Sequence, residues 1–155
     1  MGKRLKTRLA RFLIACEGAV LIETLLAVPV ATVFAAGVLE FGNVFWQRQQ
    51  MQVGVRDAAR YWSRCRPDFG ACSIDIARNI AFYGNPAGTG NLRVPGWSDA
   101  ADLAITPATP PGAPVATDLV RVTGTLDYLG SPLFRLVTSG GISVTYVHEQ
   151  RYIGW

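Results

Sequence analysis

A carboxylate, Glu23, lies near the start of a long apolar run that extends over residues 18–45. A charged side chain is costly in the hydrocarbon region of a membrane, and one that occurs there is by default a candidate for function. The same run contains Pro29, which lacks the N–H group that would donate to the carbonyl four residues earlier in a helix. Glu23 is therefore a candidate functional residue, and we expect Pro29 to bend or loosen the helix.

Two of the three cysteines, Cys65 and Cys72, follow the apolar run and are separated by six residues. In an oxidising compartment this pair can form a disulfide, and closing so short a loop would stabilise the fold by about 2–3 kcal/mol. Two free thiols or half of a metal site are the alternatives. A zinc site is disfavoured, because the sequence contains one histidine and no second cysteine pair.

The residues that enzymes use for catalysis are sparse in this chain. The only histidine, His148, lies on a predicted strand near the C-terminus, where we expect a solvent-facing or core-edge position. The sequence contains no nucleophile elbow, HExxH motif, Walker loop or dinucleotide-binding fingerprint. We therefore expect a protein without catalytic activity, cofactor or metal.

The net charge of +4 comes entirely from the residues that precede the apolar run. From residue 18 onward ten arginines balance ten acidic residues, so the chain has no basic domain that would bind nucleic acid. A basic cluster directly before an apolar segment instead fixes its orientation, with the basic end in the cytoplasm. The cluster comprises Lys3, Arg4, Lys6, Arg8 and Arg11, opposed by Glu17.

Two routes of N-terminal processing known from exported proteins fit this sequence poorly. The tetrad that ends at Cys16 is similar to a lipobox, but the hydrophobic core of a lipoprotein signal precedes the cysteine and here it follows. Signal-peptidase cleavage after Ala35 is the other route, and Glu23 inside the hydrophobic region argues against it.

The apolar run continues into a second helical pattern. Residues 19–46 are long enough to cross the hydrocarbon core of a bilayer, and residues 47–64 carry an apolar stripe beside a row of arginines. We predict one helix over residues 19–64, about 70 Å long at about 1.5 Å per residue, whose second half is an amphipathic continuation outside the membrane. The stripe consists of Met51, Val55, Ala58, Ala59 and Trp62, and the arginines are Arg56, Arg60 and Arg64.

Residues 65–155 are predicted to form one small domain. Ser73 can cap a short helix that is stopped at Gly84. The segment 85–117 holds six of the nine prolines and is predicted to be a loop, with a short strand at residues 103–106.

Alternating apolar and polar residues predict two further strands, at residues 119–128 and 142–146. An apolar connection over residues 129–141 would allow them to pair antiparallel. The stripe of the long helix could then cover their apolar face. The predicted fold class is therefore α+β, with a long N-terminal helix packed on a small antiparallel sheet.

The N-terminal pattern resembles a known processing site. A basic leader, then Gly18, then a mostly apolar helix with glutamate five residues after the glycine is similar to the cleavage site of type IV prepilins and pseudopilins. Pro29, the segment LEFG at residues 39–42 and the segment VRDAARY at residues 55–61 resemble the TadE-like family in particular. The two predicted C-terminal strands of this chain, joined by an apolar link that ends in glycine, also resemble that family.

The resemblance covers most of the chain and is strongest over residues 17–62. Thr24 is a departure, since many members have an aromatic residue or alanine after the glutamate. The resemblance implies a pilin-like fold and removal of a leader, residues 1–18, by a prepilin peptidase. The cut after Gly18 would leave Ala19 as a new N-terminus, whose ammonium group the Glu23 carboxylate could neutralise in a helical bundle.

TadE-like proteins are minor pseudopilins of the tight-adherence (Flp) pilus machinery, so the implied role is pilus assembly or initiation. The implied partners are the prepilin peptidase, other minor pseudopilins, the major Flp-type pilin, the inner-membrane platform of the secretion system and the lipid bilayer. The implied location is the bacterial inner membrane, with the C-terminal domain in the periplasm or in an extracellular pilus. The alternative is an uncleaved, signal-anchored binding domain of the cell envelope, with Glu23 at the headgroup level.

Overall fold

The computed structural model describes residues 17–68, 72–115, 117–128, 130–131, 134 and 141–154. Residues 1–16 of the predicted leader, including Cys16, and most of the predicted connection over residues 129–141 lie outside the described residues. The chain divides into two compact units, residues 1–41 and residues 42–155.

One helix, α1, extends from Glu17 to Trp62 over 46 residues, which confirms the predicted helix to within two residues at each end. The helix is continuous through Pro29, although this residue has no N–H group to donate. Two threonine hydroxyl groups near it donate to the carbonyl four residues earlier, each at 2.8 Å, which satisfies a polar group within an apolar segment. These pairs are Thr24 with Val20 and Thr32 with Val28.

In the second unit, the predicted apolar stripe of α1 forms the centre of the core. All five of its residues are buried, with at most 2% of their surface exposed. All of them except Ala58 recur at intervals of three or four residues and so lie on one side of the helix. Ala58 lies beside this row. The stripe consists of Met51, Val55, Ala58, Ala59 and Trp62, and it therefore has the packing role that its spacing indicates.

Two glycines allow the backbones around this core to approach closely. A Cβ atom at Gly54 of α1 would collide with the backbone carbonyl oxygen of Ala81 and lie 3.0 Å from the Trp97 ring. A Cβ atom at Gly124 would lie 2.7 Å from a methyl group of Val55. Both glycines therefore set the spacing between α1 and the elements that pack on it.

Three antiparallel strands form one sheet, and their order in the sheet, residues 103–106, 119–128 and 142–151, is their order in the chain. Strand β1 is Leu103–Thr106, which is the short strand predicted within the proline-rich segment, and β2 is Leu119–Tyr128, as its alternating pattern predicts. Alternate residues of β2 are buried beneath α1, because successive side chains of a strand point to opposite faces. The buried residues are Val120, Val122, Leu126 and Tyr128, with Gly124 in the same row.

Strand β3 is Ile142–Arg151, which is five residues longer than its apolar alternation indicated. The pattern ends at Tyr146 because the next two positions on the inner face carry His148 and Gln150. These polar residues remain in the strand because their backbone pairs with β2, with Val122 opposite His148 and Val120 opposite Gln150.

A short helix, α2, extends over Ile74–Tyr83 and confirms the predicted helix and both of its ends. The Ser73 side chain accepts a hydrogen bond from the Asp75 N–H at 3.2 Å. Gly84 ends the helix in the left-handed conformation, with φ of 77°, and its N–H donates to the Ile80 carbonyl at 3.0 Å.

The proline-rich segment supplies core residues that the sequence did not reveal. Val94 and Trp97 are fully buried, and the Trp97 ring packs edge-on against Phe82 of α2 with ring centroids 4.9 Å apart. The Trp62 indole N–H donates to the Pro107 carbonyl at 2.8 Å. Parts of this segment are therefore fixed against α1 and α2, although most of it has no regular secondary structure.

Candidate functional site

The N-terminal unit of α1 is covered with exposed apolar side chains. Between Val20 and Phe41 its large apolar residues are 55–76% exposed, and Leu21, Leu25 and Phe34 lie near the upper end of that range. A helix that is apolar on all sides is stable only when something buries it. Of the described helices, α1 alone is long and apolar enough to cross a membrane, judged by length and composition.

Gly18, Ala19 and Glu23 all lie in the first two turns of this exposed helix. Ala19 and Glu23 are four residues apart and therefore neighbours on one face. A helical side chain leans toward the N-terminus of its helix, so the Glu23 side chain is directed back toward residue 19. This placement permits a charge pair between the Glu23 carboxylate and an α-amino group at Ala19.

The structure brings Cys65 and Cys72 together at the C-terminal end of α1. Cys65 is buried and Cys72 half-buried, and both are free thiols whose side chains are hydrogen-bonded to each other. Burial, and to a smaller extent the hydrogen bond with Cys72, raise the pKa of the Cys65 thiol to about 12. Such a thiol is a poor nucleophile and a poor metal ligand at neutral pH, and the disulfide between the two cysteines stays a prediction.

The same end of α1 is attached to the C-terminal tail. The buried Tyr152 hydroxyl lies 2.5 Å from the carbonyl oxygens of both Cys65 and Pro111. The Ser63 carbonyl accepts hydrogen bonds from the N–H groups of Ile153 and Gly154, at 2.8 and 3.1 Å. A tyrosine three residues from a terminus is not a sequence signal for such a contact, which is why these bonds were not predicted.

Two grooves border the arginine row on the outer face of α1. The first, of about 490 Å³, extends along α2, and the second, of about 350 Å³, separates α1 from β3. Arg60 borders both grooves, whereas Arg64 lines only the first and Arg56 only the second. Asp57, which also borders both, is neutralised by the Arg93 guanidinium at 2.7 Å.

His148 lies half-buried in the wall of the second groove, which corresponds to the core-edge position, one of the two that we expect for it. The opposite wall consists of residues of α1. Within the described part of the chain, no group of three or more histidine, cysteine, aspartate or glutamate residues could hold a metal ion.

The described residues thus define a class of protein. It has a long N-terminal helix whose first part is apolar, exposed and long enough to cross a membrane, and whose second part belongs to an α+β domain with a three-stranded antiparallel sheet. Residues 18–60 match one protein family, described as TadE-like protein. The match begins at Gly18 and confirms the family resemblance over this segment, which connects the chain with the Tad pilus system. No match was found among curated proteins or among solved structures.

Proposed function

We propose that this protein is a minor pseudopilin that acts in the assembly or initiation of a tight-adherence (Flp/Tad) pilus. The observation that carries the proposal is the family match over residues 18–60, which begins at Gly18 and includes the whole exposed apolar part of α1. In this proposal α1 docks the subunit into a helical assembly, and the protein has a structural role without catalysis.

The proposed docking requires that Glu23 be neutralised. A prepilin peptidase would cleave after Gly18 and create an ammonium group at Ala19, one helical turn from the carboxylate. In a low-dielectric bundle an unpaired carboxylate is strongly disfavoured, whereas a carboxylate paired with an ammonium group is tolerated. The pair can form within one subunit or between neighbouring subunits, and in the second case it also fixes their axial register.

The proposed topology follows from the basic leader, which stays in the cytoplasm. Residues 42–155 then lie in the periplasm, where the second half of α1 forms the core of their fold. Proposed partners of α1 are the lipid bilayer, other minor pseudopilins, the major Flp-type pilin and the inner-membrane platform of the secretion system.

The proposal is tested by replacing the chromosomal gene with variants and counting surface pili by electron microscopy. We expect Glu23→Leu to abolish or strongly reduce piliation while the protein remains in the membrane, because the ammonium group loses its partner. Glu23→Asp should retain part of the activity. Thr24→Ala, the adjacent position on the same helix, is the matched control and should leave piliation unchanged.

Normal piliation in a strain that lacks the gene would contradict the proposed role. Normal piliation with Glu23→Leu alone would instead contradict the role of the charge pair.

A further inference from the structure

The two edges of the sheet differ in how well they are protected against pairing with another strand. Strand β1 has four residues, is preceded by a 3₁₀ turn over Ala100–Asp102 and is followed directly by Pro107. Short strands and prolines are devices by which proteins protect sheet edges. Strand β3 has ten residues without proline or glycine, and no described strand lies on its outer side.

The inner face of β3 is also incompletely covered. Its residues are at best half-buried, whereas the paired residues of β2 are buried. At the C-terminal half of β3, the groove of about 350 Å³ separates His148 and Gln150 from α1. A strand added to the edge would place alternate side chains on this face, toward the groove.

The groove carries unpaired positive charge on its helical wall. The exposed guanidinium of Arg60 has no ion pair or hydrogen bond to any described residue, and the Arg56 guanidinium uses one of its N–H groups for the Gln52 carbonyl at 3.2 Å. The acid beside them, Asp57, is already neutralised by Arg93. The groove is therefore complementary to an acidic occupant.

The spacing of the two arginines matches that of a strand. Arg56 and Arg60 are one turn apart, about 6 Å along the helix axis. Residues i and i+2 of an extended chain point to the same face and lie about 6.6 Å apart. Two acidic residues in alternate positions of an added strand would therefore have nearly the same spacing as the two arginines.

We propose that the β3 edge and the adjoining groove form a binding site for an extended acidic segment of a partner protein, which pairs with β3 as a fourth strand. Backbone hydrogen bonds would supply affinity, and acidic residues at i and i+2, facing Arg56 and Arg60, would supply specificity. This inference concerns residues 42–155 and holds whether or not α1 acts as proposed above.

The probes are fluorescein-labelled ten-residue peptides that alternate threonine and valine. In one set of peptides two glutamates occupy positions i and i+2, on the same face of the extended chain, and each peptide has this pair at a different place. In a matched set the two glutamates occupy positions i and i+1, so that they lie on opposite faces. Binding is measured by fluorescence anisotropy with the full-length protein in detergent micelles at low salt. We expect at least one i, i+2 peptide to bind, and to bind about tenfold more tightly than its i, i+1 counterpart.

Backbone pairing is tested on the peptide, so that the protein fold is not disturbed. Methylation of alternate backbone nitrogens blocks one edge of an extended peptide. Of the two methylated forms of the best peptide, we expect the one blocked on the β3-facing edge to lose binding and the other to retain it.

The charge contacts are tested on exposed arginines. The double variant Arg56→Glu, Arg60→Glu should weaken binding of the best peptide at least about tenfold, because two attractive contacts become repulsive. Arg64→Glu is the matched control, since Arg64 continues the same row but does not line this groove. It should change the affinity less than about twofold.

Four results would overturn the proposal. The first is the absence of binding by every i, i+2 peptide up to about 1 mM, a range in which weak specific binding is measurable. The second is binding that survives methylation of either edge, and the third is binding that Arg64→Glu weakens as much as the double variant does. The fourth is a dimer, seen in sedimentation, that the variant Val147→Lys on β3 dissociates but the peptides do not dissociate, because the edge would then pair with a second copy of the chain.

Discussion

At the scale of single residues, Tyr152 holds two segments of the chain against the end of α1. Its hydroxyl group is buried and lies 2.5 Å from the carbonyl oxygens of Cys65 and Pro111. The hydroxyl has one proton, which it can donate to one carbonyl at a time. Removing the hydroxyl group would leave both carbonyl oxygens without this hydrogen-bond donor in a buried site.

We expect Tyr152→Phe to lower the free energy of unfolding by about 1–3 kcal/mol, the usual cost of leaving buried polar groups unsatisfied. Denaturant unfolding of the full-length protein in micelles measures this. Tyr83→Phe is the control, because the Tyr83 hydroxyl has no hydrogen bond to a described residue and should change stability by less than about 0.5 kcal/mol. Equal effects of the two substitutions would contradict the role given to Tyr152.

A second prediction at this scale concerns the two neighbouring thiols. We expect Cys65 and Cys72 to form a disulfide in protein isolated from the cell envelope without reductant, so that neither reacts with maleimide. After reduction, Cys72 should react first at neutral pH, because Cys65 is buried and its pKa is raised to about 12. Rapid labelling of both cysteines before reduction would show that the bridge does not form.

At the scale of elements, the packing of α1 on α2 depends on the absence of a side chain at Gly54. A Cβ atom there would meet the backbone of Ala81, which cannot move aside as a flexible side chain could. The helices would have to separate, which would loosen the core around Trp97.

We therefore expect Gly54→Ala to lower the free energy of unfolding by about 1–3 kcal/mol, the typical cost of overpacking. Gly42→Ala, also in α1 and with no atom within 4 Å of the added group, is the matched control. It should leave stability unchanged or raise it by up to about 1 kcal/mol, because alanine is the better helix former. Thermal unfolding followed by circular dichroism distinguishes these outcomes.

Elements with a strong local signal could be predicted from the sequence. The stripe from Met51 to Trp62 and the alternation of β2 each repeat over several residues, and Ser73 and Gly84 supply the caps of α2. The apolar alternation of β3 ends at Tyr146, although the strand continues to Arg151, because its last five residues are held by pairing with β2.

The candidate site could be predicted only in part. Gly18 and Glu23 are recognisable because their spacing is fixed by local sequence. The groove beside β3 brings together Arg60 and His148, which are far apart in the chain. Such a surface depends on tertiary packing, as do the buried positions of Trp97 and Tyr152.

At the scale of the whole molecule, charge and hydrophobicity are separated along the chain. The net positive charge precedes residue 18, the exposed apolar surface follows it, and residues 42–155 contain a packed core. This order suits a protein that is inserted with its basic end in the cytoplasm and is later withdrawn from lipid into an assembly of helices. In the proposed function such withdrawal requires that the basic leader be removed, because five positive charges cannot enter an apolar bundle.

The intact mass of the protein extracted from membranes of piliated cells tests this account most directly. We predict a mass that lacks residues 1–18 and begins at Ala19, and retention of those residues in Gly18→Ala and in cells without prepilin peptidase. A wild-type protein that keeps its full N-terminus, carries a lipid on Cys16 or begins after Ala35 would contradict the account.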